Sequence, residues 1–160
     1  PPKGDTWSIE FLETCNKRFA FVGDFGGRVL VFDITDPYHP FLSTHWDVPV
    51  SPLDGHYENV LDVVLDYNPA WGGEVYIYFS AFRPGLVRLK FNLDCGADPV
   101  VQLPPSTWFD AGGQRADTPG LAHMLRRYES NGHRGLILAD KNAGLRFYGD
   151  FEAGTSPICQ

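Results

Sequence analysis

Three ionisable side chains stand inside short apolar stretches of this chain: Glu10 in SIEFL, Asp62 in VLDVV and His123 in LAHML. Laid side by side, the stretches place all three at the same position. Two carboxylates with an imidazole can hold a divalent metal or pass a proton between groups of different basicity. Glu10, Asp62 and His123 are therefore the candidate catalytic residues, and Asp62 with His123 the candidate metal ligands. The structural alternative is plainer, since a polar side chain facing a wet channel keeps its hydration and needs no chemistry.

Other chemistry-bearing residues are dispersed. His39, His45, His56 and His133 form neither HxH nor HExxH, the spacings that would put two imidazoles on one metal. No GxSxG, P-loop or GxGxxG occurs, so nucleophile and phosphate-cradle signals are missing. GDFGG at 23–27 lies between two alternating apolar runs and reads as a hairpin. DKNAG at 140–144 lacks the acidic run of a calcium loop and takes the same hairpin position. No cofactor is expected. Trp46, Trp71 and Trp108 lie at the ends of apolar runs or in breaker-rich stretches, which makes them the candidate interaction residues. Such aromatics stack on a sugar or a partner when exposed. As core residues they wedge between packed elements.

The elements that must position these residues are strands. Phe19 and Phe21, then Val29 and Val31, alternate with other residues around Gly26-Gly27, which gives strand, hairpin, strand. The polar run Asp33-Ile34-Thr35-Asp36-Pro37, with Pro40 after it, ends one strand and starts another. The same order returns at 74–103 and again at 135–159, each time after an apolar strand, at 60–65 and 121–125. The glycines Gly27, Gly85 and Gly144 repeat at a near-constant interval, the mark of a repeat architecture. Four antiparallel strands per unit is the pattern of a propeller blade. The expected fold is all-β, a β-propeller segment of about three blades at 5–50, 57–104 and 119–160. The joins at 49–56 and 104–120 are the long connections.

Composition agrees with this class. Of 160 residues, 43% are hydrophobic and 21% charged, and 17 Gly with 13 Pro favour many short elements joined by turns. The net charge is −7 and Lys and Arg do not cluster, so nucleic-acid binding is not expected. No apolar run approaches the length of a membrane span. The sequence starts at Pro1-Pro2 without Met, which fits a processed chain or a piece of something longer. Cys15, Cys95 and Cys159 match no zinc spacing, and an odd count leaves one thiol unpaired or paired outside the chain.

The segment LVFDITDPYHP at 30–40, preceded by FVGDFGG at 21–27, resembles the LVIVD-repeat proteins. LILADKNAGLRFY at 136–148 matches the front half of the motif and lacks the Asp-Pro turn. LVRLKFNLDCGADPV keeps an Asp-Pro at 98–99, but Asn92 stands where Asp is expected. The resemblance implies a β-propeller on a secreted or surface-attached protein, and no catalytic residues. Asp33 and Asp36 are expected to cap turn amides.

Three blades leave two sheet faces uncovered, whereas closed propellers typically contain about four to eight. The expected partner is another propeller segment or a second copy of this chain, with a protein or glycan as a further possibility. The leading expectation is a non-enzymatic structural or interaction module, extracellular or at the cell surface. The alternatives are a metal-dependent oxidoreductase or hydrolase built on Glu10, Asp62 and His123, and a carbohydrate-binding lectin.

Overall fold

The computed structural model describes residues 5–48, 59–67, 74–81, 85–93, 101–102, 122–131, 133–141, 144–149 and 157–159. Among these, twelve strands form three four-stranded antiparallel sheets, each following chain order. The first sheet holds β1 (Thr6–Thr14), β2 (Lys17–Asp24), β3 (Arg28–Asp33) and β4 (Phe41–Asp47). The second holds β5 (Val60–Tyr67), β6 (Glu74–Ala81), β7 (Gly85–Leu93) and β8 (Val101–Gln102). The third holds β9 (Ala122–Ser130), β10 (His133–Asp140), β11 (Gly144–Gly149) and β12 (Pro157–Cys159). The protein is all-β and antiparallel, as the turn-rich sequence requires. The two long joins lie outside the described residues.

Local chemistry sets the hairpins. Cys15 and Asn16 between β1 and β2 have φ of 52° and 58°. Two successive positive φ angles define the type I′ turn, whose twist suits the strands it joins. The first strands run further than their apolar stretches. β9 continues through Arg126-Arg127-Tyr128-Glu129-Ser130, because each of these backbones pairs with β10 up to the turn residue Asn131, φ 52°. Between β2 and β3, Gly27 takes φ 81°, and its N–H donates to the Asp24 carbonyl at 2.9 Å. The residues paired with the last residue of β2, β6 and β10 are Arg28, Gly85 and Gly144. Gly27 is therefore one place ahead of the glycines it seemed to match.

Buried acids close these hairpins. Asp24 is fully buried and accepts from the Gly26 N–H at 3.0 Å and from Arg28 Nε at 2.9 Å; a second Arg28 N–H reaches the same carboxylate. Asp140 ends β10 as Asp24 ends β2, is also buried, and faces Arg146 at 3.6 Å. Asp33 and Asp36 cap turn amides as expected. Asp33 accepts from the Thr35 N–H at 2.9 Å and Asp36 from the Tyr38 N–H at 3.0 Å.

The three sheets stack face to face with their first strands neighbouring, β1 beside β5 and β5 beside β9. Leu12, Phe19, Phe21, Val29 and Val31 of the first sheet pack on Val60, Val63, Leu65, Ile77 and Phe79 of the second. The other face of the second sheet offers Val64, Tyr78 and Leu86 to Leu125, Leu136 and Leu138 of the third. The second sheet is thus covered on both faces, which is why β5 and β6 read as near-continuous apolar runs. Close approach needs a small residue at Gly23. A Cβ there would lie 3.0 Å from Val60 Cγ1 and 3.3 Å from Val63 Cγ2.

Candidate functional site

Each first strand carries one extra residue at the same place. In β1 it is Trp7, between the pairs Thr6–Asp24 and Ser8–Gly23. In β5 it is Leu61, between Val60–Ala81 and Asp62–Ser80. In β9 it is His123, between Ala122–Asp140 and Met124–Ala139. A bulge of this kind bends the strand and re-aims the residues beside it. It also fixes the true equivalence of the three strands. Asp62 corresponds to Ser8 and Met124, Glu10 to Val64 and Arg126, and His123 to Trp7 and Leu61. The side-by-side alignment that made Glu10, Asp62 and His123 equivalent slips out of register, because it counts from the apolar residues and cannot see the bulge.

Asp62 is buried, and its carboxylate is occupied. Oδ2 accepts from the Leu125 backbone N–H at 2.9 Å and from Arg126 Nη1 at 2.8 Å, and Oδ1 from the Val63 N–H at 3.1 Å. Arg126 Nη1 also donates to the Leu125 carbonyl at 2.6 Å. Directly opposite Asp62 on β6, Ser80 Oγ donates to the carbonyl of His123 at 3.2 Å. Residues 123 and 125 lie on the edge of β9 that β10 leaves unpaired, so their peptide groups would otherwise need water. Asp62, Arg126 and Ser80 satisfy them instead. The result is a polar clamp between the second and third sheets along the row of first strands.

Glu10 is half-buried on the face of β1 that looks toward the second sheet. Burial pushes its carboxyl above the ordinary value. Arg127 opposes that rise, the negative charge of Asp62 adds to it, and Arg126 opposes it again. The charge of Asp62 is thus felt at Glu10 across the first two sheets. His123 is exposed, and the group it contributes to the clamp is its backbone carbonyl. Among the described residues, no three His, Cys, Asp or Glu side chains are arranged to hold a metal ion. Asp62, Arg126 and Glu10 form a charge network between the sheets.

Trp46 packs against the core between the first two sheets, with its ring edge-on to Phe79 at a centroid distance of 5.3 Å. Trp71 and Trp108 lie outside the described residues. Among the exposed aromatics that spacing alone did not single out, β1 carries Trp7, stacked on Phe25 at 5.6 Å, and Phe11. Their signal in the sequence is the alternation Trp7-Ile9-Phe11, an apolar row opposite the row of Ser8, Glu10 and Leu12.

No protein-family model and no curated protein matches the chain. Among the described residues, no helix is long and apolar enough to cross a membrane.

Proposed function

We propose that this chain is a stretch of β-propeller, about three blades long, that serves as a non-enzymatic interaction scaffold. The observation that carries the reading is the bonding of Asp62. Both of its oxygens accept hydrogen bonds, and those from Leu125 and Arg126 join two sheets. Three consecutive meanders with neighbouring first strands are what propeller blades require. The LVIVD-like segment at 30–40 adds support, because Asp33 and Asp36 fill turn-capping roles there. Cys15 is disulfide-bonded, and structural disulfides persist in oxidising compartments, which favours an extracellular or cell-surface setting.

A panel of Asp62→Ala, Glu10→Gln and His123→Ala, followed by urea unfolding, tests the scaffold reading. A scaffold loses stability at Asp62 and keeps it at His123. A catalytic trio behaves differently, because active-site groups are commonly held at some cost to stability. A chain that keeps or gains stability on losing Asp62 would return these residues to an enzymatic role.

A further inference from the structure

We infer that Cys15 is joined to Cys95, so that one disulfide staples the first sheet to the second. The bond goes beyond the scaffold reading above and does not depend on it.

Cys15 is disulfide-bonded, and the chain holds two other cysteines, Cys95 and Cys159. A disulfide needs its two Cα atoms about 4.4–6.8 Å apart. Cys159 ends β12, where it pairs with Phe147, and β12 is the strand of the third sheet furthest from β9. The first sheet covers one face of the second sheet, and the third sheet covers the other. Stacked sheets lie about 10 Å apart, so roughly twice that distance separates the first sheet from the third. Cys159 is out of reach of Cys15.

Cys95 lies outside the described residues, two residues after Leu93 at the end of β7. The ends of the sheets match. Gly23, near the end of β2, approaches Val60 and Val63 at the start of β5. Because β2 runs from the Cys15-Asn16 turn toward Gly23, that turn meets the other end of the second sheet, where β5 and β7 finish. Cys15 itself packs against the apolar cluster that these two sheets share. Two residues of extended chain reach about 7 Å. Together with the Cα separation of a disulfide, that spans the roughly 10 Å between stacked sheets.

The bond forms when the two thiols lose two protons and two electrons to a disulfide oxidant, which is reduced to two thiols. It closes a loop from the first turn of the first sheet to the last connection of the second, and cross-linking a long loop removes more freedom from the unfolded chain than cross-linking a short one. The two sheet interfaces are then fastened in different ways. Asp62 bonds the second sheet to the third. In the bulge register Ser8 holds the place of Asp62 on the first sheet, and among the described residues its buried Oγ has no hydrogen-bond partner. A covalent link does there what the polar clamp does at the next interface.

The test is peptide mapping by mass spectrometry of the full chain, folded in a buffer with glutathione disulfide as the oxidant and digested without reduction. The expected result is one cross-linked peptide pair that carries Cys15 and Cys95, with Cys159 outside it. A pair carrying Cys15 and Cys159, a link between the Cys15 residues of two chains, or an alkylating label on Cys15 or Cys95 overturns the proposal. Urea unfolding gives a second readout. Reductant is expected to lower the midpoint of wild type and of Cys159→Ser, and to leave that of Cys95→Ser where it stands. A Cys159→Ser midpoint that does not respond to reductant overturns the pairing as well.

Discussion

Asp62 on the second sheet accepts the backbone N–H of Leu125 on the third at 2.9 Å. This bond ties a strand edge to a side chain, and Arg126 and Ser80 add further bonds beside it. Asp62→Ala should leave that N–H unmet and remove the ion pair to Arg126, which keeps its bond to the Leu125 carbonyl. The expected loss is about 1–3 kcal/mol in denaturant unfolding, because the exposed Arg126 adds little to the cost of the unmet N–H. Asp62→Asn should lose less, since one amide oxygen can still accept.

Asp24 and Arg28 form the buried pair of the first hairpin. Asp24→Ala strands a largely buried guanidinium and frees the Gly26 N–H, so the loss should reach roughly 3–5 kcal/mol. The paired change Asp24→Ala with Arg28→Leu should recover part of it, which a double-mutant cycle in urea would reveal. An additive cycle would show that the two residues act independently.

Gly23 sits on β2 where Val60 and Val63 of the second sheet come close. Gly23→Val should cost about 1–3 kcal/mol by overpacking against Val60 and Val63. A thermal midpoint equal to that of wild type would mean that the sheets can part without penalty.

Two carboxylates make opposite contributions to the pH dependence of stability. For Asp33, burial acts to raise the pKa, but hydrogen bonds from the Thr35 side chain and backbone, together with Lys17, outweigh it and hold the group below its ordinary 3.8. Its stabilisation is present above that value and is lost as pH falls through the lower folded pKa. Glu10 is raised above 4.5, so between that value and its folded pKa the native state binds more protons than the unfolded state, and stability falls as pH rises. Asp33→Asn should therefore be destabilising at pH 7 by about 1.5–3 kcal/mol and converge on wild type in strong acid. Glu10→Gln should stabilise at pH 7 and lose that advantage below its ordinary range. Urea titrations across pH 2.5 to 8, roughly the span over which carboxylates ionise, separate the two.

Cys15 is disulfide-bonded at the turn between β1 and β2. Reduction, or Cys15→Ser, should lower stability by about 2–4 kcal/mol. An unchanged unfolding midpoint in reductant would show that the bond adds nothing to the fold.

The amino-acid sequence by itself determined the strands and their turns. Alternation at Phe19-Phe21 and Val29-Val31, the Gly26-Gly27 hairpin and the Asp33 and Asp36 caps depend on neighbours only a few residues away, so their physics is written locally. It also marked Glu10, Asp62 and His123 as polar residues in apolar strands. Tertiary structure alone decided what those three do. An extra residue at Trp7, Leu61 and His123 shifts each first strand in a way that no spacing of apolar residues records, because a bulge is defined by the pairing partner. The acceptor role of Asp62 likewise depends on Leu125, which is distant in sequence and reaches it only when the second and third sheets stack. The exposure of Ile9 and Phe11 was hidden for the same reason. Ile9 and Phe11 are apolar like Val63 and Leu65, and only the presence or absence of a covering sheet separates a buried residue from an exposed one.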